Sequence, residues 1–221
     1  MSAAPVFNAF NKLTFKMMDI NTGRAKSAFE RRITWAFLLK NMCPPDKHEV
    51  KQSYDNLGGG LYDLRYREEQ DLKYDAALLL TLPRIDELLL DDGCGTGLLL
   101  TRLDSPAVGL DLSPTLLKTA KEKLKVGHNL ILGDAEDLPV RDSVFDGVYA
   151  ITLIQNTPDE AKTVTEMKRV TRPGGKIILT TLKVIIEQIS LRDLLEDAGF
   201  HKISIVGDAG TNDWIAYAEG V

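Results

Sequence analysis

Residues 88–97 read Leu-Leu-Leu-Asp-Asp-Gly-Cys-Gly-Thr-Gly, and Leu98, Leu99 and Leu100 follow directly. A short apolar run that ends in acid and meets glycine suits a strand buried on both faces. Glycines at 93, 95 and 97 let the chain turn sharply and approach a ligand closely, because they carry no Cβ. A helix is expected next, its positive end aimed into the turn. This pattern predicts the nucleotide-cradling corner of a doubly wound α/β sheet.

The spacing narrows the choice. A dinucleotide fingerprint requires Gly-x-Gly-x-x-Gly, and Leu98 stands where its last glycine would be. The arrangement Asp91-x-Gly93-x-Gly95-x-Gly97 instead resembles motif I of the class I S-adenosylmethionine-dependent methyltransferases. That resemblance implies a Rossmann-like sheet of seven strands, mostly parallel, with an antiparallel C-terminal hairpin strand. It also implies S-adenosyl-L-methionine as cofactor, held here by Asp91, Gly93, Cys94, Gly95 and Gly97. A glycine-rich turn with no ligand is the plainer alternative.

Composition agrees with a globular chain: 221 residues, 44% hydrophobic and 27% charged, enough for one α/β domain with an N-terminal extension. Two cysteines, Cys43 and Cys94, make no disulfide framework, so a reducing, cytoplasmic setting is expected. No run approaches the ~18 apolar residues a membrane span needs. Charge is unevenly placed. Residues 1–42 carry seven Lys/Arg against Asp19 and Glu30, a net of +5, which leaves −10 to the remainder of a chain at −5. A domain that acidic does not attract nucleic acid through its own field. The basic start can be read as a transit-like peptide, an anion-binding arm or an ordinary helical extension. Met42 could serve as an alternative start, and a secretory signal is not expected because no adequate apolar core lies near Met1.

Residues 1–26 are expected to be loosely ordered. Ser27-x-x-Glu30 is a capping box, and Phe29, Ile33, Ala36 and Phe37 follow at helical spacing up to Pro44-Pro45. A second helix is expected from Asp46, with Val50, Tyr54 and Leu57 on one side, stopping at Gly58-Gly59-Gly60. The expected domains are therefore 1–53, a helical extension, and 54–221, the sheet domain. Tyr54-Asp55 and Leu61-Tyr62-Asp63-Leu64-Arg65-Tyr66 resemble the "Tyr-Asp" segment that leads into the core of many small-molecule methyltransferases. By that resemblance Tyr62 and Tyr66 lie at the cofactor's methionine end, where aromatic faces attract a sulfonium. The tyrosines equally suit the edge of a core. A helix over about 65–82 follows, with Arg65/Glu69 and Glu69/Lys73 at i,i+4 and Pro83 beyond it.

Further motifs come in register. Ala107–Asp111 predicts the second strand and ends in a carboxylate 20 residues after Asp91, where this architecture places the acid that binds ribose hydroxyls. Two acceptor oxygens match two neighbouring O–H donors. Ser113-Pro114 caps the next helix, which presents Leu116, Leu117, Ala120 and Leu124. Residues 129–132 predict a third strand, followed by Gly133-Asp134-Ala135-Glu136-Asp137-Leu138-Pro139. This is similar to the family's "Gly-Asp-Ala-Glu-x-Leu-Pro" segment, which gives Asp134 the adenine amino group and the Ala135 N–H a ring nitrogen. The resemblance adds Leu112 and Ile151 to the cofactor-binding set.

Residues 144–154 predict the fourth strand, ending in Gln155-Asn156-Thr157-Pro158 at the methyl-presenting mouth. Enzymes that methylate planar amines carry Asn/Asp-Pro-Pro-Tyr/Phe there. Asn156-Thr157-Pro158-Asp159 lacks the first proline and the aromatic, and Thr157-x-x-Glu160 also reads as a capping box. Arg172-Pro173-Gly174-Gly175 turns into a fifth strand over 176–181, and Ser190-x-x-Asp193 starts a helix through Ala198. Residues 201–206 and 214–218 pair as a hairpin. His48, His128 and His201 all fall away from the mouth, so the sequence names no catalytic base and no metal ligand.

The resemblance covers residues 54–221 and implies a methyltransferase whose acceptor is a small molecule. An RNA or protein acceptor, engaged by the basic arm, is a second reading. A non-catalytic cofactor-binding subunit is a third. The short stretch from Leu182 to Ile189 leaves little material for a lid in the C-terminal half. Cover and acceptor selection are therefore expected from residues 27–66.

Overall fold

The computed structural model describes residues 46–207 and 210–220. Residues 1–45, including the helix expected from Ser27, lie outside the described residues. So does the Arg65 side chain, and with it the expected Arg65–Glu69 pair.

Helix α1 (Lys47–Leu57) begins where the sequence predicts: the Asp46 carboxylate accepts from the N–H groups of His48 and Glu49 at 2.8 and 3.1 Å. Gly58, at φ 72°, ends it. Gly59 and Gly60 do not extend the break, because Gly58 makes the turn alone. Helix α2 (Gly59–Thr81) therefore starts six residues earlier than expected. It ends at Leu82 in left-handed conformation, just before Pro83.

Strand β1 (Leu89–Asp92) is wholly buried, as its apolar run demands. The helix expected after the glycines does not form. Gly95 and Gly97 hold φ 53° and 74°, a backbone no right-handed helix accommodates, and only one 3₁₀ turn follows at Leu100–Arg102. Strand β2 (Ala107–Asp111) leads to α3 (Pro114–Lys121), capped by the Ser113 hydroxyl oxygen, which accepts from the Leu116 N–H. Strand β3 is His128–Leu132. Strand β4 (Phe145–Ile151) stops three residues short of expectation because Thr152 turns left-handed, at φ 61°.

Helix α4 (Glu160–Val170) is capped by Asp159 and not by Thr157. The Asp159 carboxylate accepts from the Lys162 N–H, while the Thr157 hydroxyl turns inward to donate to the Ile154 carbonyl. Strand β5 (Thr171–Leu182) takes in the Arg172–Gly175 turn as an irregularity in its pairing with β4. Helix α5 (Gln188–Asp197) starts before the expected cap, Ser190, and strands β6 (Phe200–Val206) and β7 (Asp213–Gly220) follow.

The seven strands are ordered β3-β2-β1-β4-β5-β7-β6. Pairings through β5 are parallel, and β7 is antiparallel to both β5 and β6. From β1 the chain runs outward to β3, then returns to β4 on the other side of β1. A crevice opens at the carboxyl ends where the order reverses.

Alternate strand residues feed two cores. Leu90, Val148 and Ile177 meet Val164 and Met167 of α4 and Leu191 of α5 on one face. Leu89, Tyr149 and Ile178 meet Tyr74 and Ala77 of α2 and Leu117 of α3 on the other. Among the described residues no helix is long and apolar enough to cross a membrane.

The start of α2 is pinned to α3: a Cβ on Gly59 would lie 2.5 Å from the Thr119 Cβ, whereas one on Gly60 would meet nothing within 4 Å. Gly59→Ala should cost about 1–3 kcal/mol of stability through overpacking. Gly60→Ala should be neutral or stabilise by up to about 1 kcal/mol. Urea unfolding of the two variants separates these outcomes.

Candidate functional site

A cleft of about 750 Å3 lies across the carboxyl ends of β1 to β4, open on one side. That size suits a drug-sized or nucleoside-bearing ligand. Its floor is the turn after β1, where the N–H groups of Gly93 and Cys94 both donate to the Leu110 carbonyl at 2.8 Å. The Gly95 N–H donates to Asp111 Oδ2 and the Ser113 N–H to Asp111 Oδ1, each at 2.8 Å. Each carboxylate oxygen keeps a lone pair for a further donor. Burial pushes the Asp111 carboxyl up from its ordinary value, and the two N–H groups oppose that shift.

At the end of β3, Asp134 Oδ1 accepts from the Glu136 N–H at 2.9 Å. Its Oδ2 pairs at 2.6 Å with Lys47, the first residue of α1, which also reaches Glu136 at 2.7 Å. Burial works against the Lys47 ammonium, yet the two carboxylates outweigh it and its pKa rises. Glu136 in turn accepts from the Asp159 N–H, so α1, the β3 exit and the α4 cap form one linked set.

The third wall is aromatic. Tyr54 and Tyr62 meet edge to face at 6.0 Å, Tyr62 and Tyr66 lie tilted at 5.1 Å, and the Tyr62 ring sits against Gly95. Burial, first among several causes, raises the Tyr54 and Tyr62 pKa values, so both phenols stay neutral. Asp63 fixes this wall to the floor by accepting from the Thr96 hydroxyl and the Lys123 ammonium. The exit of β4 closes the fourth side with Ile151, Thr152 and Leu153, and Leu153 packs where a Cβ on Gly93 would stand.

Of the residues singled out from the sequence, Tyr62, Gly93, Gly95, Asp111, Leu112, Asp134, Ala135 and Ile151 line this one cleft. Asp91, Cys94 and Gly97 lie behind the turn and shape it. Cys94 is a buried free thiol and Gly97 sits against Ala120 of α3. Tyr66 stands behind Tyr62. Asn156 also lines the cleft and donates to the Thr152 carbonyl. None of the three histidines lines it.

Sequence reasoning missed Lys47 and Thr152. No motif marks a lysine 87 residues from the carboxylate it pairs with, and a left-handed threonine leaves no signature.

A family model described as "Methyltransferase domain" matches residues 90–179, the span from the middle of β1 to the middle of β5. The chain carries a class I S-adenosylmethionine-dependent methyltransferase domain. Among curated proteins, this domain is similar to malonyl-[acyl-carrier protein] O-methyltransferase of Serratia marcescens, 36% identical over 99 residues, covering 43% of this chain and 38% of that one. It is also similar to tRNA (carboxymethyluridine(34)-5-O)-methyltransferase of Arabidopsis thaliana, 29% identical over 157 residues, covering 69% of this chain and 37% of that one. The chain thus spans well under half the length of these relatives. Among solved structures, the [4+2]-cyclase SpnF superposes with a TM-score of 0.67 at 19% identity, over 80% of this chain and 96% of SpnF. The methyltransferase fold is shared even with a protein named for a cyclisation, so the acceptor has to be argued from the site.

One acid in the methyltransferase domain is unlike its neighbours. Asp92 is fully buried beneath the glycine turn and neither carboxylate oxygen finds a hydrogen-bond partner. Burial, then the charges of Asp111, Asp134 and Glu166, push it up to about 8. The folded protein keeps this proton at pH 7, and the unfolded chain releases it above about pH 4. Stability should therefore fall as pH rises from about 4 to about 8. Asp92→Asn should flatten that fall by up to about 1.4 kcal/mol per pH unit, measured by urea unfolding at successive pH values.

Proposed function

We propose that this chain transfers the methyl group of S-adenosyl-L-methionine to a small-molecule acceptor. The observation that carries the reading is the Asp111 carboxylate, fixed by the Gly95 and Ser113 N–H groups at the lip of a cleft that the β1, β3 and β4 exits also line. The donor set fits the cofactor. Asp111 can accept two neighbouring ribose hydroxyls, and Leu112 and Ile151 provide apolar contact. Asp134 and the Ala135 N–H suit the amino group and a ring nitrogen of adenine. The backbone of Gly93 and Gly95 admits the methionine end closely, and the Tyr54 and Tyr62 faces suit a sulfonium. Asp91, Cys94, Gly97 and Tyr66 support these groups from behind.

When bound, the cofactor supplies an electrophilic methyl group on sulfur. The protein's own part is alignment and exclusion of water, and alignment of two reactants can be worth about 7–11 kcal/mol of barrier. Helices α1 and α2 provide the tyrosine wall and the Lys47 bridge, which supports acceptor selection by residues 27–66. The missing proline and aromatic of the planar-amine tetrad, and the use of Asn156 to hold the Thr152 carbonyl, favour an acceptor other than a planar amine. A reducing cytoplasmic setting belongs to the same reading, supported by the buried free thiol of Cys94.

An RNA acceptor is the second reading, favoured by the net +5 of residues 1–42 and the likeness to a tRNA methyltransferase. Two measurements test the assignment. Calorimetry should show binding of S-adenosyl-L-methionine and none of NAD, with Asp111→Asn weakening binding roughly 10- to 100-fold, the loss expected for hydrogen bonds to a charged group. Mass spectrometry of cell extract incubated with the protein and isotopically labelled methyl donor should show label in a low-mass compound. Label in RNA, lost with residues 1–42 and at high salt, would select the second reading. Cofactor binding without any labelled product would select a non-catalytic subunit.

A further inference from the structure

Beside the cleft, a lysine is almost wholly buried. Lys73, in the middle of α2, is 1% exposed and reaches three groups: Glu69 Oε1 at 2.7 Å, Asp213 Oδ2 at 3.1 Å and Thr152 Oγ1 at 3.0 Å. These three contacts account for the three hydrogens of an ammonium. Asp213, the first residue of β7, has no exposed surface. A charge this deep is expensive unless paired, so its placement calls for a reason.

Thr152 supplies the reason. It is a β-branched residue at φ 61°, a conformation that sets Cβ against the following carbonyl. Such a residue persists only where its surroundings leave it no alternative. Every polar group of Thr152 is tied down. Its N–H donates to Thr180 Oγ1 at 2.8 Å, its carbonyl accepts from Asn156 Nδ2 at 3.0 Å, and its hydroxyl oxygen accepts from Lys73. The turn it makes sends Leu153 onto Gly93 and leaves Ile151, Thr152 and Leu153 as the wall of the cleft.

We propose that Lys73 is a positioning residue for cofactor binding, holding Thr152 in the left-handed turn that forms the β4 side of the cleft. The proposal rests on the reading of that cleft as the S-adenosyl-L-methionine site. Lys73 does not line the cleft; it acts through Thr152. Losing the hold lowers the fraction of molecules with a formed wall, and apparent affinity falls by that fraction.

The test compares valine with glycine at one position. Thr152→Val keeps the β-branch and loses the hydroxyl, so calorimetry should show S-adenosyl-L-methionine binding about tenfold weaker than wild type. Thr152→Gly removes more atoms but adopts φ 61° freely, and should bind within about threefold of wild type. Lys73→Met should weaken binding about tenfold in the wild-type background and have no further effect in Thr152→Gly. Glycine binding no better than valine would overturn the proposal, as would Lys73→Met weakening Thr152→Gly as much as it weakens wild type. Should Lys73→Met fail to fold in thermal melts, the valine–glycine comparison decides. Wild-type protein that binds no S-adenosyl-L-methionine would instead overturn the reading of the cleft, and the proposal with it.

Discussion

Two backbone N–H groups, from Gly95 and Ser113, converge on one carboxylate, and the geometry of the whole cleft follows from that convergence. Asp111 ends β2, Gly95 belongs to the turn after β1, and Ser113 caps α3. A single side chain thus locks the ends of two parallel strands to the start of a helix. Hydrogen bonds to an ionised acceptor are about twice as strong as neutral ones, and here they also relieve part of the cost of burying the acid. The glycines on one side and the cap on the other have little freedom once this knot is tied.

Around it, the two N-terminal helices are attached by side chains more than by a shared core. Asp63 binds Thr96 and Lys123, Asp55 accepts from the Ser113 hydroxyl, and Lys47 bridges Asp134 and Glu136. Each contact joins α1 or α2 to the exit of a different strand. The helices therefore complete the site instead of merely covering it. The long apolar face of α2 stays with the sheet through Tyr74 and Ala77.

Much of this was legible in the sequence because it is local. An apolar run ending in acid and glycine, an acid 20 residues on, and a Ser-Pro cap each depend on neighbours within a few residues. Strand β2 and helix α3 accordingly fall where their residues predict. What the sequence hid is non-local or conformational. The helix expected after Gly97 fails because left-handed glycines consume the first turn. The Thr157 cap gives way to Asp159 because the threonine hydroxyl finds the Ile154 carbonyl first. Lys73 and Asp213 lie 140 residues apart in the chain and meet only because β7 inserts between β5 and β6.

The Lys47 bridge has a consequence of its own for selectivity. Asp134 is already neutralised in the protein by itself, so a ligand that engages this carboxylate exchanges one partner for another and keeps only the difference. Weakly matched nucleotides gain nothing from the exchange, and only a ligand that also occupies the neighbouring strand exits can displace the lysine at a profit. The first residue of α1 thereby works as a threshold at the mouth of the cleft, turning a general affinity for amino-bearing rings into discrimination among them.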